Sequence, residues 1–172
     1  MSGSDPRTDT ASSILKSLLL ALVAGIAVVD IGLAVVTPAA TQPVRLLLAG
    51  CALAVPLLGL AIGVVHRPAY GVGAVLSLPV VIAYAYTGLL LPWTQLSFPL
   101  GQVGLELVLG VPVVGEPAAT ALFGGFTLSQ ATLRGAFRLH YATVGVGTVA
   151  VVAAVTAVGW RRGLGPAGAT SG

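Results

Sequence analysis

The chain has 172 residues, of which 56% are hydrophobic and only 8% charged, with a mean hydropathy of +1.02. A soluble domain carries about 25% charged residues, so 8 Lys and Arg and 5 Asp and Glu cannot coat a water-facing surface. A disordered chain would be polar and charged, and the single cysteine, Cys51, excludes a disulfide framework. What remains is an integral membrane protein. The net charge of +3 comes from scattered basic residues without interleaved aromatics, which is no nucleic-acid footprint.

Residues 1–13 are rich in Ser, Thr and Asp and read as a disordered amino-terminal tail. A membrane domain is expected over residues 14–162. A span needs about 20 apolar residues, because the hydrocarbon core is about 30 Å thick. Four segments reach that length, at residues 14–36, 46–65, 71–91 and 141–160. Pro56 and Pro79 fall inside the second and third, where neighbouring helices can satisfy the freed carbonyls and local kinks are expected. Lys16, the first apolar run and Ala39-Ala40 also resemble a signal peptide, but the run exceeds the usual 7–15 residues.

The connection at residues 94–139 is too apolar for a solvated loop and too broken by Gly to span. Short helices lying in the membrane interface fit it best. Residues 163–172 read as a flexible carboxy-terminal tail. The expected fold is therefore an all-α bundle of four transmembrane helices, with two short interfacial helices between the third and fourth. Four spans put both termini on one side, together with Arg7, Lys16, Arg67, Arg161 and Arg162. Arg45, Arg134 and Arg138 fall on the other. This bias predicts an insertion in the cell membrane with both termini cytoplasmic.

Few polar residues remain inside the membrane domain. Asp30 lies within the first span, where an ionisable group is a functional-site candidate by default. No basic residue is expected at its depth, so it is read as protonated, or as facing a partner or a water cavity. His140, with Arg134 and Arg138, is placed at the interfacial start of the last span. Glu106 and Glu116 lie on the interfacial segment, where a carboxylate can take a proton or simply be solvated. Cys51 reads as a small packing residue. The many Gly residues in and beside the spans favour close helix packing.

Two stretches carry a resemblance. One runs Thr87-Gly88-Leu89-Leu90-Leu91-Pro92-Trp93-Thr94-Gln95. The other includes Val111-Pro112-Val113-Val114-Gly115, then Gly124-Gly125-Phe126, Thr132-Leu133 and Phe137-Arg138-Leu139-His140. Their order and spacing resemble the amino-terminal, haem-bearing domain of cytochrome b from bc-type quinol-oxidising complexes. In that family an LPW sequence ends the third helix, and two surface helices and an IP-x-IG turn follow. A GG…TL-x-x-F-x-x-H run then opens the fourth helix.

The resemblance implies a membrane subunit of a respiratory quinol-oxidising electron-transfer complex. It implies as partners a Rieske-type iron–sulfur protein and another cytochrome b-like chain supplying the family's carboxy-terminal domain. It places a quinone pocket near Trp93, Pro112, Val113, Val114, Gly115 and Glu116. It also makes His140 a candidate ligand of haem b, Gly88 a position where the family makes room for porphyrin, and Arg138 a propionate or headgroup contact.

The family holds two haems between its second and fourth helices, each helix supplying two His about 14 residues apart. That spacing returns to nearly the same helix face about 21 Å further on. Here the position 14 residues after His140 is Ala154, and residues 46–65 contain no His. His66 is expected at the opposite membrane face, about 30 Å from His140, whereas axial nitrogens on one iron stand about 4 Å apart. Conventional two-haem binding is therefore not expected, and a haem-depleted subunit that scaffolds the complex or lines a quinone site is. The alternatives are an electron carrier sharing a haem with a partner through His140, and a non-redox accessory protein that kept the fold.

Overall fold

A computed structural model describes residues 6–35 and 41–163. The described residues form six helices: α1 (Pro6–Leu33), α2 (Gln42–Val65), α3 (Pro68–Leu90), α4 (Ser97–Leu109), α5 (Gly115–Phe123) and α6 (Gln130–Gly163). Four are long and apolar enough to cross a membrane, at Thr10–Leu33, Gln42–Val65, Pro68–Leu90 and Gln130–Ala157. Their outward faces are aliphatic: Val28, Leu47, Leu57, Leu76 and Val149 are each more than half exposed. Such a surface is stable only in lipid, so this is an integral membrane bundle.

Local chemistry sets the helix ends. Pro opens α2 and α3, where its missing N–H and fixed φ carry no penalty. Gly124, in the left-handed conformation at φ 77°, ends α5. Ser129 caps α6: its Oγ accepts from the Ala131 N–H at 3.2 Å, and its own N–H donates to Thr132 Oγ1 at 3.1 Å. The last helix thus begins at Gln130 and not near Tyr141, and residues 130–139 leave the interfacial segment to join it. The sequence from Ser129 to Arg138 is too polar for a hydropathy window, but a cap and a packed face suffice. Likewise α1 begins at Pro6, so residues 6–13 are helical where a tail was expected. Helices α2 and α3 run through Pro56 and Pro79. The carboxy-terminal tail at 164–172, and Ala39 and Ala40, lie outside the described residues.

Around the bundle α1 packs on α2, α2 on α3, α3 on α6 and α6 on α1. Helices α2 and α6 therefore face each other across the axis. The α2–α3 contact is the most extensive, and its basis is a Gly-x-x-x-Gly pair, Gly59 and Gly63. A Cβ on Gly63 would lie 2.6 Å from the Gly71 amide nitrogen, and one on Gly59 would lie 2.9 Å from Ala74 Cβ. The expected close packing of these glycines is what the backbone shows.

The two short helices lie beyond one end of α3 and α6, with α4 on α3, α5 on α6 and the two on each other. Two hydroxyls fasten α4. Ser97 Oγ, fully buried, donates to the Leu89 carbonyl at 2.8 Å. Tyr86 Oη donates to the Leu100 carbonyl at 3.2 Å and covers Gly104, whose missing side chain leaves room for the ring.

Candidate functional site

Four helices converge on one buried polar cluster. Asp30 comes from the last turns of α1, Arg45 from the first turn of α2, and His140 and Tyr141 from α6. Tyr84, Thr87 and Gly88 share one face of α3, at i, i+3 and i+4. Asp30 is completely buried, and Arg45 and His140 are 5% and 1% exposed.

The carboxylate of Asp30 is the hub. Its Oδ1 accepts from Arg45 Nη1 at 3.3 Å. Its Oδ2 accepts from Tyr84 Oη at 2.5 Å and lies 2.8 Å from His140 Nε2. Arg45 spends its remaining donors nearby, with Nε donating to Thr41 Oγ1 at 3.1 Å and Nη2 to Tyr141 Oη at 3.4 Å. His140 Nδ1 is 3.2 Å from both the Tyr84 carbonyl and Thr87 Oγ1. The imidazole stacks on Tyr84 with centroids 4.7 Å apart and meets Tyr141 edge-on at 5.3 Å. It rests on Gly88, where a Cβ would come within 2.8 Å of the ring. No buried side-chain N or O among the described residues lacks a partner. Such a cluster is stable only when this complete, because an unpaired charge in low dielectric costs several kcal/mol.

Two expectations are corrected here. Asp30 does have a basic residue at its depth, namely Arg45, which reaches across from the first turn of α2. His140 does not project toward headgroups as an interfacial residue would. It lies ten residues into α6, about 15 Å from the helix start, and is buried in the bundle.

The cluster occupies the axis between α2 and α6, where the family places its haems. The residues there do not fit a haem. His140 Nε2 points at Asp30, with Arg45 Nη1 only 3.4 Å away. On the α2 side the same spot is lined by Leu48 and Ala49, which offer no donor atom to iron, and the space between is too small for a water molecule. His66 caps α2 at its other end. The described residues include no group of three His, Cys, Asp or Glu placed to hold a metal.

A second feature adjoins the cluster. A cavity of about 650 Å³ lies between α3, α4, α5 and α6. Its walls are mainly apolar, with Leu90, Val108 and Phe123 among them, and its polar side chains are Tyr86, Thr87, Thr132 and Arg138. Thr87 thus stands in the wall between this cavity and His140. Arg138, expected as a propionate or headgroup contact, borders the cavity, but none of the residues expected near a quinone does: Trp93, Pro112, Val113, Val114, Gly115 and Glu116 all lie outside its lining. Val113, at φ 70°, is 96% exposed, Val114 is 55% exposed and Glu116 is exposed on the first turn of α5. Trp93, at φ 51°, is 36% exposed in the turn after α3. Gly115 is buried against the carbonyls of Val108 and Leu109.

Sequence reasoning missed Arg45, Tyr84, Tyr86 and Thr87. In the sequence Arg45 reads only as a topology charge. The signal available was its position after the turn that follows Asp30, since consecutive antiparallel helices bring such residues level.

The cytochrome b/b6/petB family model matches residues 45–157, well over half of the chain. Relatives named cytochrome b include one from Marchantia polymorpha, 43% identical over 67 residues, covering 39% of this chain and 17% of that protein. Another from Solanum tuberosum is 45% identical over 60 residues, 35% of this chain and 15% of the relative. One from Rhodospirillum rubrum is 43% identical over 60 residues, with the same coverage. The chain thus aligns with less than a fifth of the length of these relatives. No solved structure matches it. With the four-span bundle and the family match over both α2–α3 and α6, the chain belongs to the cytochrome b/b6 family.

Proposed function

We propose that this chain is a haem-depleted cytochrome b-like subunit of a quinol-oxidising electron-transfer complex, scaffolding the complex and lining a quinone site. The observation that carries the haem-free reading is the engagement of His140. Both of its nitrogens are held within the protein, and Arg45 and Asp30 stand where iron and porphyrin would have to pass. A haem shared with a partner through His140 would require the same cluster to be dismantled.

The 650 Å³ cavity supports the quinone part. Quinone sites are mainly apolar clefts with a few polar groups that fix the ring. The Arg138 guanidinium can donate to a quinone carbonyl, whereas the Thr87 hydroxyl already donates to the Ala83 carbonyl at 2.6 Å. Tyr86 is already committed to the backbone of α4 and shapes the wall. The cell membrane, with termini on the cytoplasmic side, is the setting proposed from the Lys and Arg bias. The partners proposed are a Rieske-type iron–sulfur protein and a further cytochrome b-like chain.

Binding of a short-chain benzoquinone to the purified chain in detergent tests the site. Removing a charged hydrogen-bond donor typically costs about 1.5–3 kcal/mol. Arg138→Gln is thus expected to weaken binding about tenfold or more, and Ala121→Trp, which fills the cavity, to abolish it. Equal binding by all three proteins would refute the quinone reading. Recovery of the tagged chain from native membranes without any redox subunit would refute the electron-transfer reading and favour an accessory protein.

A further inference from the structure

At the end of the bundle away from the interfacial helices, a cleft of about 350 Å³ separates α1 from the α2–α3 pair. Its walls are smooth hydrocarbon: Leu19 from α1, Val55 from α2, and Ala69 and Gly73 from α3. Ser77 also borders it, but its hydroxyl donates to the Ala74 carbonyl of its own helix at 2.7 Å, so it makes no demand for a polar ligand. Tyr70 forms the rim. Over the Tyr70 ring, 5.6 Å from its centroid, sits the Lys16 ammonium. Arg67, exposed three residues before Tyr70, adds a second positive charge at the same end.

We propose that this cleft is a binding site for one acyl chain of an acidic phospholipid, whose phosphate is held by Lys16. Three observations converge on that occupant. The cleft walls have no polar group free to orient a quinone ring or a peptide, which suits an alkyl chain. Apart from the self-bonded Ser77, the polar features among the described residues are at the rim, and they are cationic and aromatic, the composition of a membrane boundary. Lys16 lies near the start of the first apolar run and Tyr70 at the start of α3, so both mark the same headgroup level. A Lys at that level extends its ammonium toward phosphates while its stem covers apolar surface.

Small side chains keep the cleft open, and this gives a clean test. A Cβ added at Gly73 meets no atom within 4 Å. Gly73→Leu is therefore accommodated by the fold while filling the cleft. The full chain is purified from membranes and incubated with matched-chain phosphatidylglycerol or phosphatidylcholine, and retained lipid is counted by native mass spectrometry. Phosphatidylglycerol is expected to be retained over phosphatidylcholine. One basic residue near a membrane surface changes anionic-lipid affinity about fivefold. Lys16→Met is expected to lower the preference by about that factor, and Lys16→Arg to keep it. Gly73→Leu is expected to lower retention of both lipids while thermal unfolding is unchanged. Equal retention of the two lipids by the native chain would overturn the proposal. So would a preference untouched by Lys16→Met, or retention untouched by Gly73→Leu.

Discussion

Asp30→Ala lowers the stability of the bundle by about 3–5 kcal/mol, the cost of removing one member of a buried charge cluster. The substitution strips an acceptor from Arg45 Nη1, His140 Nε2 and Tyr84 Oη at once. Arg45 is 5% exposed and cannot reach water to compensate. Arg45→Met costs less, because Asp30 keeps Tyr84 and His140. The double variant Asp30→Leu with Arg45→Met removes both charges and restores apolar volume. It is expected to be more stable than Asp30→Ala alone, because contacting residues in one network are not additive. Thermal unfolding followed by circular dichroism in detergent measures all four proteins. A loss below about 1 kcal/mol in Asp30→Ala, the range of an ordinary surface pair, would mean that the cluster does not brace the bundle.

Gly63→Leu separates α2 from α3. The new Cβ would lie 2.6 Å from the Gly71 amide nitrogen and 2.7 Å from its Cα, and backbone cannot step aside as a side chain can. Overpacking a close contact typically costs about 1–3 kcal/mol. The cost here lies at or above the top of that range, because the helices themselves must part. Gly73→Leu is the internal control, since the same residue change on α3 meets open space. Their unfolding temperatures in one detergent should differ by several degrees. Equal values would show that the Gly-x-x-x-Gly contact of Gly59 and Gly63 is not what holds α2 on α3.

The features legible in the sequence were those written as local pattern. Apolar length alone located the membrane spans, because a span must bury about 20 residues in hydrocarbon. The Leu91-Pro92-Trp93 turn and the Gly124-Gly125 turn carried the family resemblance, and the family model matches the same region. The start of the last helix was not legible. Ser129 to His140 mixes Arg, Gln and Thr with apolar residues, and its helicity depends on the Ser129 cap and on Thr132, whose Oγ1 donates to the Phe123 carbonyl at 2.6 Å. Nor was the charge cluster legible. Asp30 and Arg45 are separated by 15 positions, and Asp30 and His140 by 110. No local period relates them; only the bundle does. The lack of His at residues 46–65 and at position 154 could be read because residue identity is a single-position property. The contacts around His140 could not, because they are a property of four helices together.

In the proposed function, Asp30 and Arg45 take the place of haem beside His140. A reduced-minus-oxidised optical spectrum of the chain, purified from haem-replete cells and paired with a pyridine haemochrome assay, tests it most directly. The expected result is no b-type absorption band and well below one haem per chain, with the protein folded and its thermal unfolding unchanged by haem limitation during growth. A stoichiometric b-type signal that disappears in His140→Ala would contradict it.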